Sequence, residues 1–194
     1  MVRKGTIERK TKETDIIVEW SIDGTGKYSI KTGIPFFNHM LELFSRHGLF
    51  DLTIRAKGDI DVDLHHTIED VGIALGSALR KALPRFEGIR RYGFAILPMD
   101  ETLSLVAIDL GGRPLLVWKG TLRGKIGTFD TEVVKEFFKA FANEAKCSIH
   151  INILYGDNRH HKVEATFKAF ARALREAIAI DKKIKGALST KGML

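Results

Sequence analysis

The sequence predicts an α+β protein built from two repeats, each an antiparallel sheet with helices on one face. Three observations predict this fold. The motif His-His-x-x-Glu occurs at residues 65–69 and again at residues 160–164. An alternating apolar segment, typical of a strand, precedes each copy, and the apolar spacing of an amphipathic helix lies further upstream. Two copies of one pattern indicate an internal duplication, and we predict halves at 1–90 and 91–194 of a single compact chain.

The first repeat contains the elements expected of one such half. In chain order we predict strands at 14–22 and 28–31, a helix at 36–47, a strand at 52–56 and a helix that starts with the first motif. Asp23-Gly24-Thr25-Gly26 is interpreted as a hairpin turn, because these residue types favour tight turns. Gly58-Asp59 is interpreted as the turn that leads into the motif helix.

The second repeat follows the same order. We predict strands at 93–97, 103–110 and 115–118, a helix at 133–144, a strand at 149–153 and a helix that carries the second motif. Asp109-Leu110-Gly111-Gly112 is interpreted as a hairpin turn, and Gly156-Asp157 as the turn before the helix. Superimposing Phe44 on Phe141 aligns the two upstream helices and places His39 on Glu136.

Helix geometry divides each motif between two directions. Residues four apart lie on one face of a helix, whereas adjacent residues diverge by about 100°. His65 and Glu69 can therefore ligate one ion while His66 points elsewhere. The second copy repeats this arrangement with His160, Glu164 and His161. We therefore predict two metal sites per active unit, with ligands exchanged between repeats or between subunits.

The upstream helices offer one further ligand each. His39 and Glu136 occupy equivalent positions in the repeats, and we expect one of them at each site. Imidazole and carboxylate ligands without sulfur suit Mn, Fe, Co or Zn. The alternatives are an ordinary helix histidine at position 39 and a surface Lys-Glu pair at position 136. His47 is interpreted either as a helix C-terminal residue, where a cation is favourable, or as a substrate contact.

Composition narrows the classes of protein. The net charge of +7 favours an anionic partner, either a phosphorylated metabolite or a nucleic acid. No aromatic residues are spaced for base stacking among the arginines near residue 85, so we expect no nucleic-acid partner. The sequence shows no signal-peptide core and no apolar run of membrane-spanning length, which predicts a cytoplasmic protein without a membrane partner. The single Cys147 permits no internal disulfide.

Several segments together resemble the imidazoleglycerol-phosphate dehydratase family of histidine biosynthesis. The resemblance is carried by segments 36–41, 63–70, 91–93, 99–101, 109–114, 160–165 and 189–192, two of which contain the motifs. It implies a duplicated fold of the ribosomal-S5-domain-2 type, two manganese ions per active unit, and a homo-oligomer of 24 subunits with active sites at subunit contacts. The family's metal ligands fall on His39, His65, His66, Glu69, His160, His161 and Glu164.

One metal position departs from the family pattern. A ligand that is often His in the family falls on Glu136. This departure leaves either a carboxylate ligand or one poorly occupied metal, and we favour the carboxylate because oxygen suits manganese.

The resemblance also implies a reaction and its residues. D-erythro-imidazoleglycerol phosphate would lose water to give imidazole-acetol phosphate, a small phosphorylated imidazole serving as substrate. We hypothesise that two ions bind both ring nitrogens and hold the substrate as imidazolate. Glu13 and Glu164 are the candidate acid-base groups. The substrate-binding positions carried over are Glu13, His39, His47, Arg91, Arg113, Lys168, Ser189 and Lys191.

Two other functions stay open on the sequence. A zinc- or iron-dependent hydrolase would use the same ligands to activate a water molecule. A basic nucleic-acid-binding module would show salt-dependent binding that is indifferent to the loss of His65 or His160.

Overall fold

The computed structural model describes residues 3–190. The first half comprises β1 (Lys4–Lys10), β2 (Thr14–Ser21), β3 (Tyr28–Lys31), α1 (Pro35–Gly48), β4 (Asp51–Gly58) and α2 (His65–Ala82). The second half comprises β5 (Tyr92–Met99), β6 (Thr102–Asp109), β7 (Leu115–Lys119), β8 (Lys125–Ile126), β9 (Phe129–Asp130), α3 (Val133–Ala145), β10 (Ser148–Tyr155) and α4 (Arg159–Ala177).

The two halves have the same sheet topology. The first sheet has the strand order β1-β2-β4-β3 and the second has the order β5-β6-β10-β7. The short β8-β9 pair is an addition to the second half. The predicted duplicated α+β fold is therefore confirmed. The boundary between halves 1–90 and 91–194 stays a prediction.

The sheets differ from the expectation in one pairing. Each has an edge strand that runs parallel to its neighbour, since β3 pairs with β4 and β7 with β10 in the parallel sense. The reason is that a helix connects each of these pairs, and a strand-helix-strand crossover returns the chain in the same direction. The other pairings of the two sheets are antiparallel.

The two predicted hairpin turns are therefore wrong. Asp23–Gly26 and Asp109–Gly112 each connect strands that are not neighbours, because β4 lies between β2 and β3 and β10 lies between β6 and β7. Gly and Asp signal a local reversal, but they carry no information about which strand will later insert. The hairpins within the two four-stranded sheets are β1-β2 and β5-β6. Their tips carry Glu13 and Glu101 respectively.

The helices are exchanged between the halves. Helix α1 packs on α4 of the second half, while α3 packs on α2 of the first. Phe44 of α1 stacks on Phe170 of α4 at a ring-centroid distance of 5.2 Å. Gly72 of α2 allows α3 to approach closely, because a Cβ there would lie 2.7 Å from the carbonyl oxygen of Phe137. A single buried apolar core runs through both halves.

Two other features bear on the predictions from composition. Cys147 is buried directly before β10, and this burial raises the pKa of its thiol to about 12. Within residues 3–190, no helix combines the length and the apolar character that crossing a membrane would require.

Candidate metal centre

Both copies of the motif lie at the start of a helix, as predicted. In α4 the side chain of Asn158 accepts hydrogen bonds from the backbone N–H groups of His160 and His161, at 2.8 and 3.4 Å. In α2 the Asp63 carboxylate accepts a hydrogen bond of 2.7 Å from the backbone N–H of His65. These contacts satisfy backbone donors that have no partner inside the helix. They fix the first turn from which the histidines project.

The second motif forms a compact group with His39, which we call the second cluster. Nε2 of His160 lies 3.0 Å from Oε2 of Glu164, and Nε2 of His39 lies 3.8 Å from the same oxygen. One ligand atom from each of the three residues lies within 4.8 Å of the others. In the described part of the chain, this is the one group of three or more metal-ligating side chains that is so close together.

The helix exchange determines which residues meet in this cluster. His39 lies on α1 of the first half, whereas His160 and Glu164 lie on α4 of the second. The side chains of this cluster therefore come from both repeats. That they ligate a metal ion, with ligands exchanged between repeats or subunits, stays a prediction. The contact of α1 with α4 brings them together through the core.

The equivalent residues in the repeat are His65 and Glu69 of the first motif and Glu136 of α3. They make up a more open group, which we call the first cluster. Nε2 of His65 lies 3.1 Å from Oε2 of Glu69, and both side chains are about 40% exposed. His65 and Glu136 line the same cavity, of about 620 Å³. Glu136 also lies 3.3 Å from the ammonium group of Lys139, so a surface pair exists alongside the cavity position. Ligation by Glu136 stays a prediction.

The second histidine of each motif points away from the first, as helix geometry predicts. The two imidazole rings of each pair are 6.1 Å apart and inclined by 85° in α2 and 77° in α4. His66 contacts Asp59, and its hydrogen bond with that carboxylate raises the histidine's pKa. His161 contacts Glu101, with the same effect on its pKa. Each of these imidazoles therefore has a carboxylate partner of its own.

Glu164 lies in a strongly polar environment although it is buried. Burial by itself raises the pKa of its carboxyl, but Lys168, His160 and His39 together outweigh burial, and the net pKa is lowered. The Lys168 ammonium lies 2.6 Å from Oε1 of Glu164. The carboxylate is therefore anionic at neutral pH and available to a cation or a proton.

A group of basic residues continues from Glu164 along α4. Burial lowers the pKa of His47, and the neighbouring charges of Lys168 and Arg172 lower it further. The His47 ring, on the last turn of α1, is therefore biased toward its neutral form beside two permanent cations. A region of this kind suits an anionic group such as a phosphate.

The other expected substrate contacts are more scattered. Arg91 is buried, and its guanidinium forms a bidentate ion pair with Asp109 and donates to the carbonyl oxygen of Leu188. Arg91 thereby anchors the C-terminal segment, and a phosphate contact by it stays a prediction. Arg113 is exposed between β6 and β7, and Ser189 is half-buried in the final segment. Lys191 lies outside the described residues.

Glu13 lies at the tip of the β1-β2 hairpin. Its carboxylate is exposed, and Oε2 lies 3.9 Å from Nδ1 of His66. Thr11 holds the turn, since its hydroxyl accepts hydrogen bonds from the backbone N–H groups of Glu13 and Thr14. This tip therefore brings a carboxylate to the motif of α2, although its role in chemistry stays a prediction.

Glu101, which contacts Nδ1 of His161, is a site residue that the sequence patterns do not predict. In the sequence it lies within segment 99–101, which contributes to the family resemblance. Its position opposite the motif depends on the β5-β6 hairpin, in which Met99 pairs with Thr102. The available signal was the acidic Asp100-Glu101 pair at a two-residue turn between strands.

Comparisons with known proteins agree on one family. A family profile described as imidazoleglycerol-phosphate dehydratase matches residues 32–174. Imidazoleglycerol-phosphate dehydratase of Geobacter sulfurreducens is 58% identical over 195 residues, and that of Clostridium kluyveri is 54% identical over 194 residues, each covering 100% of both chains. Among solved structures, the enzyme from Staphylococcus aureus superposes with a TM-score of 0.83 at 40% identity, covering 92% of this chain and 99% of that one.

A second solved structure extends the match in fold. The structure of IGPD from Pyrococcus furiosus in complex with (S)-C348 superposes with a TM-score of 0.85 at 40% identity, covering 97% of this chain and 100% of that one. The similarity thus covers sequence, fold and nearly the full length. The chain belongs to the imidazoleglycerol-phosphate dehydratase family, the hydro-lyases that carry out this dehydration in histidine biosynthesis.

Proposed function

We propose that this chain dehydrates D-erythro-imidazoleglycerol phosphate to imidazole-acetol phosphate with two bound Mn²⁺ ions per active unit. The observation that carries the proposal is the second cluster, in which His39, His160 and Glu164 place their ligand atoms within 4.8 Å of one another. Two imidazole nitrogens and a carboxylate oxygen are a suitable partial ligand set for Mn²⁺.

The residues divide into two equivalent metal sites. The second cluster would hold one ion, and His65, Glu69 and Glu136 of the first cluster would hold the other. His66 and His161 point away from these groups. We assign them to ions shared with neighbouring subunits, in a homo-oligomer of 24 subunits that functions in the cytoplasm.

The reaction needs help because no carbonyl group acidifies the carbon-bound proton that is lost. The bound ions would supply Lewis acidity to the imidazole nitrogens of the substrate and favour its anionic form. Glu164 is anionic because Lys168 lowers its pKa, and an anionic carboxylate at this place can accept a proton. Glu13, exposed 3.9 Å from His66, is the other candidate for proton transfer.

Binding of the phosphate falls to the basic end of α4. Lys168 lies one turn beyond Glu164, so a phosphate bound there would be about one helical turn from the metal cluster. We propose that His47, Arg113, Ser189 and Lys191 add further contacts. Charge-assisted hydrogen bonds of this kind orient the substrate as well as bind it.

The test is a product assay on the purified full chain with imidazoleglycerol phosphate, with Mn²⁺ and after chelation. We expect ketone formation that chelation abolishes and Mn²⁺ restores. His160→Ala should lower the rate by roughly 100-fold or more, since loss of even an outer partner of a metal ligand costs 10–100-fold. His150→Ala is the matched control, because His150 is exposed on β10 and belongs to neither cluster.

Other outcomes would point to the alternatives. Absence of dehydration with Mn²⁺ present would contradict the proposal, and release of inorganic phosphate would favour a metal-dependent hydrolase. Salt-dependent binding of nucleic acid that persists in both His65→Ala and His160→Ala would favour a binding module.

A further inference from the structure

The second histidine of each motif meets a carboxylate with the same ring nitrogen. Nδ1 of His66 lies 3.0 Å from Oδ2 of Asp59. Nδ1 of His161 lies 2.6 Å from Oε2 of Glu101. In a neutral imidazole one nitrogen carries the proton and the other carries the free lone pair. An anionic acceptor at Nδ1 therefore favours the tautomer in which Nε2 is free.

The duplication accounts for only part of this agreement. Asp59 lies in the connection between β4 and α2, whereas Glu101 lies at the tip of the β5-β6 hairpin. The residue that corresponds to Asp59 in the second half is Asp157, which contributes only its backbone N–H to Glu101. The equivalent of Glu101 in the first half is Glu13, at the tip of the β1-β2 hairpin, and its Oε2 lies 3.9 Å from Nδ1 of His66. A carboxylate thus faces Nδ1 of the second histidine in both repeats, and in the first half Asp59 supplies the hydrogen bond.

Glu101 is held more firmly than its exposure indicates. Its Oε1 accepts hydrogen bonds from the backbone N–H groups of Asp157 and Asn158, at 3.1 and 2.8 Å, and from the Thr102 hydroxyl at 3.0 Å. All three donors require an acceptor at this oxygen. Only Oε2 is then left to face His161, so the carboxylate cannot exchange its two oxygens without losing these bonds.

We infer that Glu101 and Asp59 are positioning residues, which hold His161 and His66 as the Nδ1–H tautomer so that each Nε2 is free to ligate a metal ion. This inference rests on the proposed metal centre. Asp100, from the same hairpin tip as Glu101, lies 3.6 Å from Nε2 of His161. A further carboxylate oxygen is therefore present on the side where the ion would bind.

Replacing the carboxylate by an amide should have different effects at Glu101 and at Asp59. In Glu101→Gln the amide oxygen has to stay with the three donors, so the NH₂ group faces His161 and donates to Nδ1. The proton of His161 then moves to Nε2, which can no longer ligate. In Asp59→Asn the amide is free to turn its oxygen toward His66, because Oδ1 of Asp59 finds no hydrogen-bond partner within residues 3–190.

The experiment uses the full-length protein with ¹⁵N-labelled histidine, freed of metal by chelation, at an alkaline pH where both rings are neutral although their carboxylate partners raise their pKa. Solid-state ¹⁵N NMR reports which nitrogen carries the proton, and His161→Asn identifies the signal. We expect His161 to carry its proton on Nδ1 in the parent protein and on Nε2 in Glu101→Gln. We expect His66 to keep its proton on Nδ1 in Asp59→Asn. Titration with Mn²⁺, followed by the electron paramagnetic resonance of the free ion, should show about 10–100-fold weaker binding at one site in Glu101→Gln.

Glu101→Ala separates positioning from a merely structural contact. Alanine leaves His161 free to adopt either tautomer, so we expect a smaller loss of Mn²⁺ affinity than in Glu101→Gln. An unchanged tautomer in Glu101→Gln, or a loss in Glu101→Ala as large as in Glu101→Gln, would overturn the inference. A parent protein that binds no Mn²⁺ would contradict the metal centre, whereas the NMR signal judges Glu101 separately.

Discussion

Glu164 shows how one side chain depends on its neighbours. Its carboxylate contacts His160, His39 and Lys168, and its side chain is 8% exposed. Lys168 is the one ammonium group among these three partners, and it lies 2.6 Å from Oε1 of Glu164. The free energy of unfolding of the metal-free protein should therefore fall when Lys168 is replaced by an uncharged residue.

We predict that Lys168→Met lowers the free energy of unfolding of the chelated protein by about 3 kcal/mol, because a buried carboxylate loses its charged partner. Lys139→Met is the matched control. Lys139 pairs with Glu136 three residues earlier, but its side chain is 62% exposed, so the loss should stay below about 0.5 kcal/mol. Urea unfolding of both variants measures the difference, and equal losses would contradict the prediction.

Asp51 gives a prediction for pH. Backbone N–H groups of Thr25 and Lys27 donate to its carboxylate and lower its pKa below the ordinary value of 3.8. A lowered pKa in the folded state stabilises the protein above the unfolded pKa, and this contribution disappears as pH falls through the folded pKa. We therefore expect Asp51→Asn to be less stable than the parent at neutral pH, and the gap to narrow in acid.

Thermal unfolding at a series of pH values between about 2 and 7 measures this gap. Asp15→Asn is a suitable control, because the Asp15 side chain forms an exposed ion pair with Lys10 and no other ion pair within residues 3–190. The difference in stability between Asp15→Asn and the parent should be small at every pH in this range, since exposed ion pairs contribute little to stability. A gap for Asp51→Asn that widens in acid would contradict the prediction.

At the scale of elements, glycines at equivalent positions let each sheet approach its helix. A Cβ on Gly5 of β1 would lie 2.0 Å from the carbonyl oxygen of Ala78 in α2. A Cβ on Gly93 of β5 would lie 2.0 Å from the carbonyl oxygen of Ala173 in α4. The same strand-helix contact is thus preserved in both repeats.

We predict that Gly5→Ala and Gly93→Ala each lower the free energy of unfolding by about 1–3 kcal/mol, because the helix must move to admit the methyl group. Gly186→Ala is the control. A Cβ there would meet nothing within 4 Å, although its φ of +73° leaves some backbone strain. Thermal unfolding of the three variants tests this prediction. A Gly93→Ala variant that is as stable as the Gly186→Ala variant would contradict the close approach of β5 to α4.

The sequence predicted those elements whose signal is local. Helix α1 was recognised because its buried residues, such as Phe37, Met40 and Phe44, recur with the period of a helix. Strand β1 was missed because its sequence, Lys4–Lys10, is mostly charged and buries only Gly5 completely. The placement of β3 beside β4 depends on a crossover, which short turn motifs do not reveal.

The same limit applied to the site. The motif spacing predicted which histidines share a face with a glutamate, because four residues are close to one helical turn. The meeting of His39 with the second motif could not be chosen from the sequence, since it depends on which helices pack together. The carboxylate partner of His161 was missed for the same reason, because a strand pairing brings Glu101 to α4.

In the whole molecule, the positions of His66 and His161 predict that metal binding and subunit association depend on each other. His66 and His161 lie 37% and 22% exposed on the side of each motif away from its glutamate. If they complete sites shared between subunits, the loss of either histidine should weaken both metal binding and association.

We predict that His66→Ala and His161→Ala each reduce the bound Mn²⁺ per subunit and shift the protein toward smaller species. Metal analysis together with sedimentation velocity measures both quantities, and chelation of the parent should produce the same shift. His150→Ala again serves as the control, with neither quantity changed. Variants that keep their size while losing metal would show that these histidines do not join subunits.

The exchange of α1 and α3 ties the two repeats to one another. Cutting the connection at residues 83–91 would leave each fragment with its own motif but without the side chain that its partner repeat contributes, His39 in one case and Glu136 in the other. A substitution in α1 should therefore alter the surroundings of the histidines in the second repeat, and one in α3 those of the histidines in the first. The geometry of each cluster therefore depends on the packing of both repeats.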